Sequence, residues 1–250
     1  MHKQAKHYQK IHDEYQYHYF DSYSKFYRKE LIFKKIIHVL NQSNSIMEVG
    51  CGGAENLNEI LKLSNQINIY HGFDISENAV ELFNKQKSRN FVAFRGDFTN
   101  KRLKIHKKYE CLLFLGSLHH MTKELDLAMK NCNKFLKKNG YLILIEPNSA
   151  FLNSIRNLWY RLSEKFDHEN ERALSIEEIS ALCKKNNFEK LSVQFGGNVG
   201  FFVIFNSMIL GTPRWLKHAL YKPLTLFDLI LQKLNFKYIS AFHISIWVKK

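Results

Sequence analysis

Two rhythms of apolar residues run along the chain. Short, nearly unbroken runs occupy 45–50, 67–74, 91–95, 110–115 and 141–148, ending at Gly50, Asp74, Arg95, just before Gly116 and at the pair Pro147-Asn148. Such runs are the signature of strands buried on both faces. Between them, apolar residues recur at helical spacing over 53–63, from Ser76 onward, and over Lys123–Lys138 (Leu125, Leu127, Ala128, Cys132, Phe135, Leu136). Ser76 is a natural N-cap. Lys137-Lys138-Asn139-Gly140 predicts a helix end with Gly140 at the C-cap. Ser175-Ile176-Glu177-Glu178 is a capping box that opens a helix running to Asn187. Strands 191–195 and 242–249 follow. Strand and helix alternate, which predicts a mostly parallel α/β sheet.

Three segments lie outside this alternation. Residues 3–42 contain neither Pro nor Gly and read as two helices, dense in Tyr and His (Tyr8, His12, Tyr15, His18, Tyr19, Tyr23). Residues 149–164 read as a helix, followed by a charged loop with His168 and Arg172. Residues 198–235 read as mostly helical, with a basic fringe of Arg214, Lys217, Lys222 and Lys233. No linker separates two domains. The expected plan is an N-terminal helical lid (1–44), a nucleotide-binding core (45–197), a helical cap (198–235) and a closing strand (236–250).

Composition changes the picture in two ways. A formal net charge of +14 favours an anionic partner: nucleic acid, a membrane surface or a phosphorylated substrate. From Gly196 onward there are seven Lys or Arg and one acid, Asp228. Four cysteines, at 51, 111, 132 and 183, form no C-x-x-C pair, so reduced thiols in a cytoplasmic setting are expected and no metal site. The opening Met1-His2-Lys3-Gln4 is polar, unlike a signal peptide. The longest apolar run, Val199–Gly211, contains Asn206 and Ser207 and is too short to span a bilayer.

The chemistry concentrates at Ser45-Ile46-Met47-Glu48-Val49-Gly50-Cys51-Gly52-Gly53-Ala54-Glu55-Asn56-Leu57. A strand ends in an acid, a glycine bend follows, then a helix starts, as in the first unit of a nucleotide-binding sheet. A dinucleotide loop wants a third Gly where Glu55 stands, and Glu55 would oppose a pyrophosphate. A ligand with an amino group suits the acid-then-Gly turn better. Asp74 ends the second strand about 20 residues on, where a carboxylate takes ribose hydroxyls.

The pattern E-x-G-x-G at 48–52 resembles motif I of the class I S-adenosylmethionine (SAM)-dependent methyltransferases. So do Gly96-Asp97-Phe98 after the third strand, Leu118-His119-His120 after the fourth, and L-K-K-N-G-Y-L-I-L-I-E-P-N at 136–148. Ala54 replaces the family's usual third Gly. The resemblance covers roughly 45–195. It implies a Rossmann-like seven-stranded methyltransferase sheet, mostly parallel with an antiparallel last strand, and SAM as cofactor. By the same resemblance Glu48, Gly50, Cys51, Gly52, Asp74, Ile75, Asp97, Phe98, Gly116 and Ser117 bind it. Asp97 accepts from the adenine amine, Ile75 and Phe98 sandwich the base, and Gly116 and Ser117 face the methionine part.

The implied reaction is in-line methyl transfer to a small-molecule or lipid-linked acceptor. His120 is the leading candidate base, with Tyr15, Tyr19 or His18 of the lid behind it. Glu146–Asn148 are placed to touch the acceptor, and 198–235 to touch a membrane. Two other readings remain: an RNA methyltransferase, suggested by the charge, and a non-catalytic SAM-fold scaffold. No N-P-P-Y-type motif follows the fourth strand, which sets the RNA reading lower.

Overall fold

The computed structural model describes residues 17–85, 88–105, 107–151 and 172–250. Tyr8, His12, Tyr15, His168 and most of the helix expected at 149–164 lie outside the described residues. Helix α1 (Ser22–Arg28) leads through a π-helical turn (Lys29–Phe33) into α2 (Lys34–Asn41). The core then alternates: β1 (Ser45–Val49), α3 (Glu55–Leu61), β2 (Ile69–Asp74), α4 (Glu77–Asn84), β3 (Phe91–Arg95) and β4 (Tyr109–Leu115). After it come α5 (Leu125–Phe135), β5 (Leu136–Pro147), α6 (Ile176–Lys185), β6 (Phe188–Gly196), α7 (Arg214–Leu234) and β7 (Phe242–Lys249).

The seven strands are ordered β3-β2-β1-β4-β5-β7-β6. β1 pairs in parallel with both β2 and β4, and only β7 runs antiparallel to its neighbours. The sheet matches the seven-stranded expectation. Its strand order reverses between β1 and β4, the switch point where open α/β sheets bind ligands. All five residues of β1 are buried. Its side chains alternate between two layers: Ile46 packs with Leu31, Ile36, Leu57 and Ile244, and Met47 with Leu112, Phe135, Ile179 and Trp247.

Several element ends differ from the sequence reading by a few residues, and the end of α5 differs in kind. Gly140 is no helix cap, because α5 stops at Phe135 and Leu136 already pairs with Tyr109. Strand pairing wins over the local capping signal. The left-handed residue is Asn139 (φ 59), and a Cβ on Gly140 would meet the Glu110 carbonyl at 2.9 Å.

Helix α7 packs Leu220, Tyr221, Leu224 and Leu229 on the core but carries apolar side chains on its outer face as well. Lys217, Thr225, Asp228 and Gln232 are buried, while Trp215, Leu226, Phe227, Ile230 and Leu234 are exposed. Buried polar groups are costly without partners; Lys217, Asp228 and the Gln232 amide nitrogen have them, whereas among the described residues Thr225 Oγ1 and Gln232 Oε1 have none. Lys217 Nζ pairs with the Asp21 carboxylate and donates to Ser24 Oγ (2.8 Å), Ser207 Oγ (3.1 Å) and the His18 carbonyl (3.0 Å). Asp228 accepts from Tyr27 Oη (2.6 Å) and from the backbone N–H of Asn198 (2.9 Å), Gly200 (3.2 Å) and Phe201 (3.1 Å). Gln232 donates to the Leu31 carbonyl at 3.2 Å. The cap is thus hooked to the N-terminal helices through polar contacts.

Candidate functional site

The site lies on the rim where β1, β2, β3 and β4 end. Gly50 has φ +76, and a Cβ there would stand 2.5 Å from the Ser117 Cβ. Its role is to let the loop after β4 close over β1, where Ser117 Oγ donates to the Val49 carbonyl at 2.5 Å. Gly52 (φ +56) turns its N–H to Asp74 Oδ2 at 3.0 Å. Asp74 Oδ1 accepts from Ser76 N at 2.8 Å. The Asp74 carboxylate is therefore docked on the glycine turn. Burial raises its pKa, and the N–H groups of Ser76 and Gly52 hold that rise back. Ala54 caps α3 with φ 79 and is fully buried. It adopts the left-handed conformation that the family fills with Gly, so the turn keeps its shape at a cost of about 1–2 kcal/mol.

Glu48 is buried beneath this turn. Its Oε2 meets Tyr70 Oη at 2.8 Å and its Oε1 meets Asn56 Nδ2 at 2.7 Å. Burial pushes its pKa up to about 8, against the lowering effect of those two bonds. Asn56 Oδ1 in turn accepts from Arg28 Nη1 at 2.8 Å. Arg28 is buried, with its guanidinium 4.6 Å from the centre of the Phe20 ring. The sequence reading missed Arg28. The only signal was an arginine among many lysines in the N-terminal helices.

Asp97 is exposed on the rim just past β3, its Oδ1 accepting from Thr99 N (2.8 Å) and Thr99 Oγ1 (2.6 Å). Ile75 is half-buried beside Asp74. Phe98 departs from expectation. It is buried in the core, edge-on to Phe73, Phe114 and Phe135, and offers no open ring face for a base. A bend after Asp97 turns the next side chain into the sheet.

The loop after β4 is held by Glu146. Its carboxylate accepts from Ser117 N (3.2 Å), Leu118 N (2.9 Å) and His119 N (3.2 Å), and Oε2 contacts His119 Nδ1 at 2.7 Å. Glu146 is committed to positioning this loop, not to touching an acceptor. Asn148 likewise spends its amide on the Lys237 and Ser240 carbonyls. His120 is half-buried, with its ring 3.9 Å from that of His119. Gly116 (φ 69) starts the loop. Opposite Glu146 in the β5–β7 ladder sits His243, fully buried, and burial lowers its pKa to about 4.

Among the lid candidates, His18 is drawn into the Lys217 cluster. Its Nδ1 lies 2.9 Å from Ser207 Oγ, so it serves the clamp and not an acceptor. Tyr19 is half-buried, edge-on to Phe205 at 4.9 Å. Arg172 is exposed and forks onto Glu178. Among the described residues, no group of three or more His, Cys, Asp or Glu could hold a metal ion.

An adenosyl ligand suits these groups. Each Asp74 oxygen carries one backbone bond and keeps acceptor capacity for a hydroxyl, and Asp97 keeps Oδ2 for a donor. Gly52, Asp74, Ile75, Asp97, Gly116 and Ser117 lie along this rim; Glu48, expected to touch the cofactor, is buried beneath it with both oxygens bonded to Tyr70 and Asn56, and Cys51 is buried there too.

The comparisons agree. The chain shares its fold with a SAM-dependent methyltransferase from Thermotoga maritima (TM-score 0.62, 19% identity, 98% of this chain and 99% of that one). It also resembles the plantazolicin methyltransferase BamL in complex with a substrate analogue and S-adenosylhomocysteine (TM-score 0.60, 15% identity, 96% and 90% covered). A third is the magnesium protoporphyrin IX methyltransferase of Synechocystis, also with S-adenosylhomocysteine (TM-score 0.56, 13% identity, 89% and 84% covered). No curated protein matches by sequence. The family model described as "Methyltransferase domain" matches residues 15–193. That match takes in well over half of the chain, and this protein accordingly belongs to the SAM-dependent methyltransferases of the methyltransferase-domain family.

Proposed function

We propose that the protein methylates a small-molecule or lipid-linked acceptor. The observation that carries the cofactor end is the Asp74 carboxylate bonded to Gly52 N at the switch point. When bound, SAM would supply an electrophilic methyl group for in-line attack by the acceptor, with S-adenosylhomocysteine as the leaving group.

The chain's own residues do the rest. Asp74 accepts the two ribose hydroxyls. Asp97 accepts from the adenine amine, with Ile75 beside the base. Arg28, at the end of α1, faces the methionyl carboxylate, and Asn56 in the first turn of α3 fixes its guanidinium. The loop at Gly116–Ser117, set by Glu146, borders the methyl-bearing end. His120 stands in that loop and takes the acceptor proton on its imidazole when the acceptor is a hydroxyl. A positioned base of this kind contributes about 10²–10⁴-fold. The helices α1 and α7 exclude water and fix the approach. Such alignment can supply ~7–11 kcal/mol of the barrier.

The test is to denature the freshly purified protein and identify released ligands by mass. SAM or S-adenosylhomocysteine, with any trapped acceptor, is expected. No adenosyl ligand, together with no calorimetric binding of S-adenosylhomocysteine, would leave a scaffold role. Methylation of RNA that falls steeply with salt would shift the acceptor class to nucleic acid.

A further inference from the structure

We propose that the outer face of α7 docks on an anionic lipid surface. A cap helix ordinarily turns its apolar face to the body of the protein. Here Leu220, Tyr221, Leu224 and Leu229 pack on the body, and a second set of large apolar residues lines the opposite, exposed face. Trp215 is 71% exposed and Ile230 is 53% exposed, whereas Lys217 and Asp228 on the far side are fully buried. At 3.6 residues per turn, Trp215, Leu226, Ile230, Leu234 and Phe227 fall within about a third of the helix circumference. The chain continues into exposed Phe236 and Tyr238. Scattered surface apolar residues are ordinary; a continuous stripe on one helix is a contact surface.

Charge selects the occupant. Lys222 and Lys233 lie along one edge of the stripe and Arg214 at its start, all exposed. Among the described residues none of the three is ion-paired. The only acid from Gly196 to the end is Asp228, which is buried. The face therefore presents apolar side chains and positive charge with no exposed carboxylate from this part of the chain. That combination fits the headgroup and acyl boundary of an anionic bilayer. A second copy fits poorly, because the same face of its α7 would bring no exposed carboxylate to answer the basic edge. Among the described residues no helix is long and apolar enough to cross a membrane, so the contact is peripheral.

The full-length protein is floated with vesicles of phosphatidylcholine alone and of phosphatidylcholine mixed with phosphatidylglycerol. Flotation only with the anionic vesicles is expected. Lys222→Ala and Lys233→Ala should each weaken partitioning about fivefold. Phe227→Asp with Ile230→Asp should abolish it while melting temperature and S-adenosylhomocysteine binding stay unchanged. The readout is partitioning, not turnover, so it is independent of the acceptor. No flotation with anionic vesicles overturns the proposal. Equal flotation with both vesicle types overturns the charge selection. A dimer in sedimentation velocity that Phe227→Asp dissolves assigns the face to a second copy and overturns it as well.

Discussion

Replacing Glu48 by Gln should stabilise the protein in the absence of cofactor, and increasingly so as pH rises. Glu48 is fully buried under the glycine turn, and burial raises its pKa from 4.5 to about 8. Below pH 4.5 the group is protonated in both the folded and unfolded chain, and contributes nothing. Between 4.5 and 8 the unfolded chain loses the proton while the folded protein keeps it. Stability then falls by about 1.4 kcal/mol per pH unit. Above pH 8 the loss levels off on the order of 5 kcal/mol. Gln mimics the protonated acid and keeps an acceptor and a donor for Tyr70 and Asn56. From pH 5.5 to 7.5 the gap between variant and wild type should therefore widen by about 3 kcal/mol. For a chain of this size that is roughly 5–12 °C in melting temperature. The assay is thermal melting of both proteins without cofactor at the two pH values. The difference is what counts, because His243 works in the opposite direction. Its lowered pKa means that stability is lost as pH falls from 6.5 towards about 4. That effect is common to both proteins and cancels. A gap of the same size at pH 5.5 and 7.5 would refute the reasoning.

Asp74→Ala should weaken S-adenosylhomocysteine binding by about 100-fold, from the loss of two bonds to a charged acceptor; calorimetry with an unchanged dissociation constant would remove Asp74 from the site. Lys217→Met leaves the Asp21 carboxylate buried without its cation, and should cost about 3–5 kcal/mol, read as a lower melting temperature. Adding Asp21→Asn, which keeps the helix cap, should recover part of that loss, and no recovery would mean the pair is not the cause. His120→Ala should leave cofactor affinity intact and lower turnover at least about tenfold if His120 is the base; unchanged turnover would exclude it.

The strands were legible because β1, β4 and β5 are near-continuous apolar runs, and that pattern needs no knowledge of the rest of the chain. Asp74 was legible because strand, turn and helix lengths fix its distance from Gly52. The sidedness of single residues was not. Nothing local says that Phe98 turns inward while Asp97 stays on the rim. Nothing near Glu146 reveals that its acceptor sites belong to the 117–119 loop, which lies 27–29 residues away. The face that α7 buries was illegible for the same reason. Its apolar and basic residues were visible as a pattern, but Lys217 and Asp228 face inward only because Asp21 and Tyr27 receive them.

Those two contacts join residues 196 and 201 positions apart. A ribosome emits the first helices long before it has made the partners that fix them. Arg28 sits on one of those early helices, so its surroundings are fixed only after α7 has been made. A nascent or truncated chain lacking α7 would keep the Arg28–Asn56 bond yet lose the Lys217 and Asp228 contacts that hold α1. The order of synthesis would thus leave α1 waiting on α7 before the two helices can be fixed together.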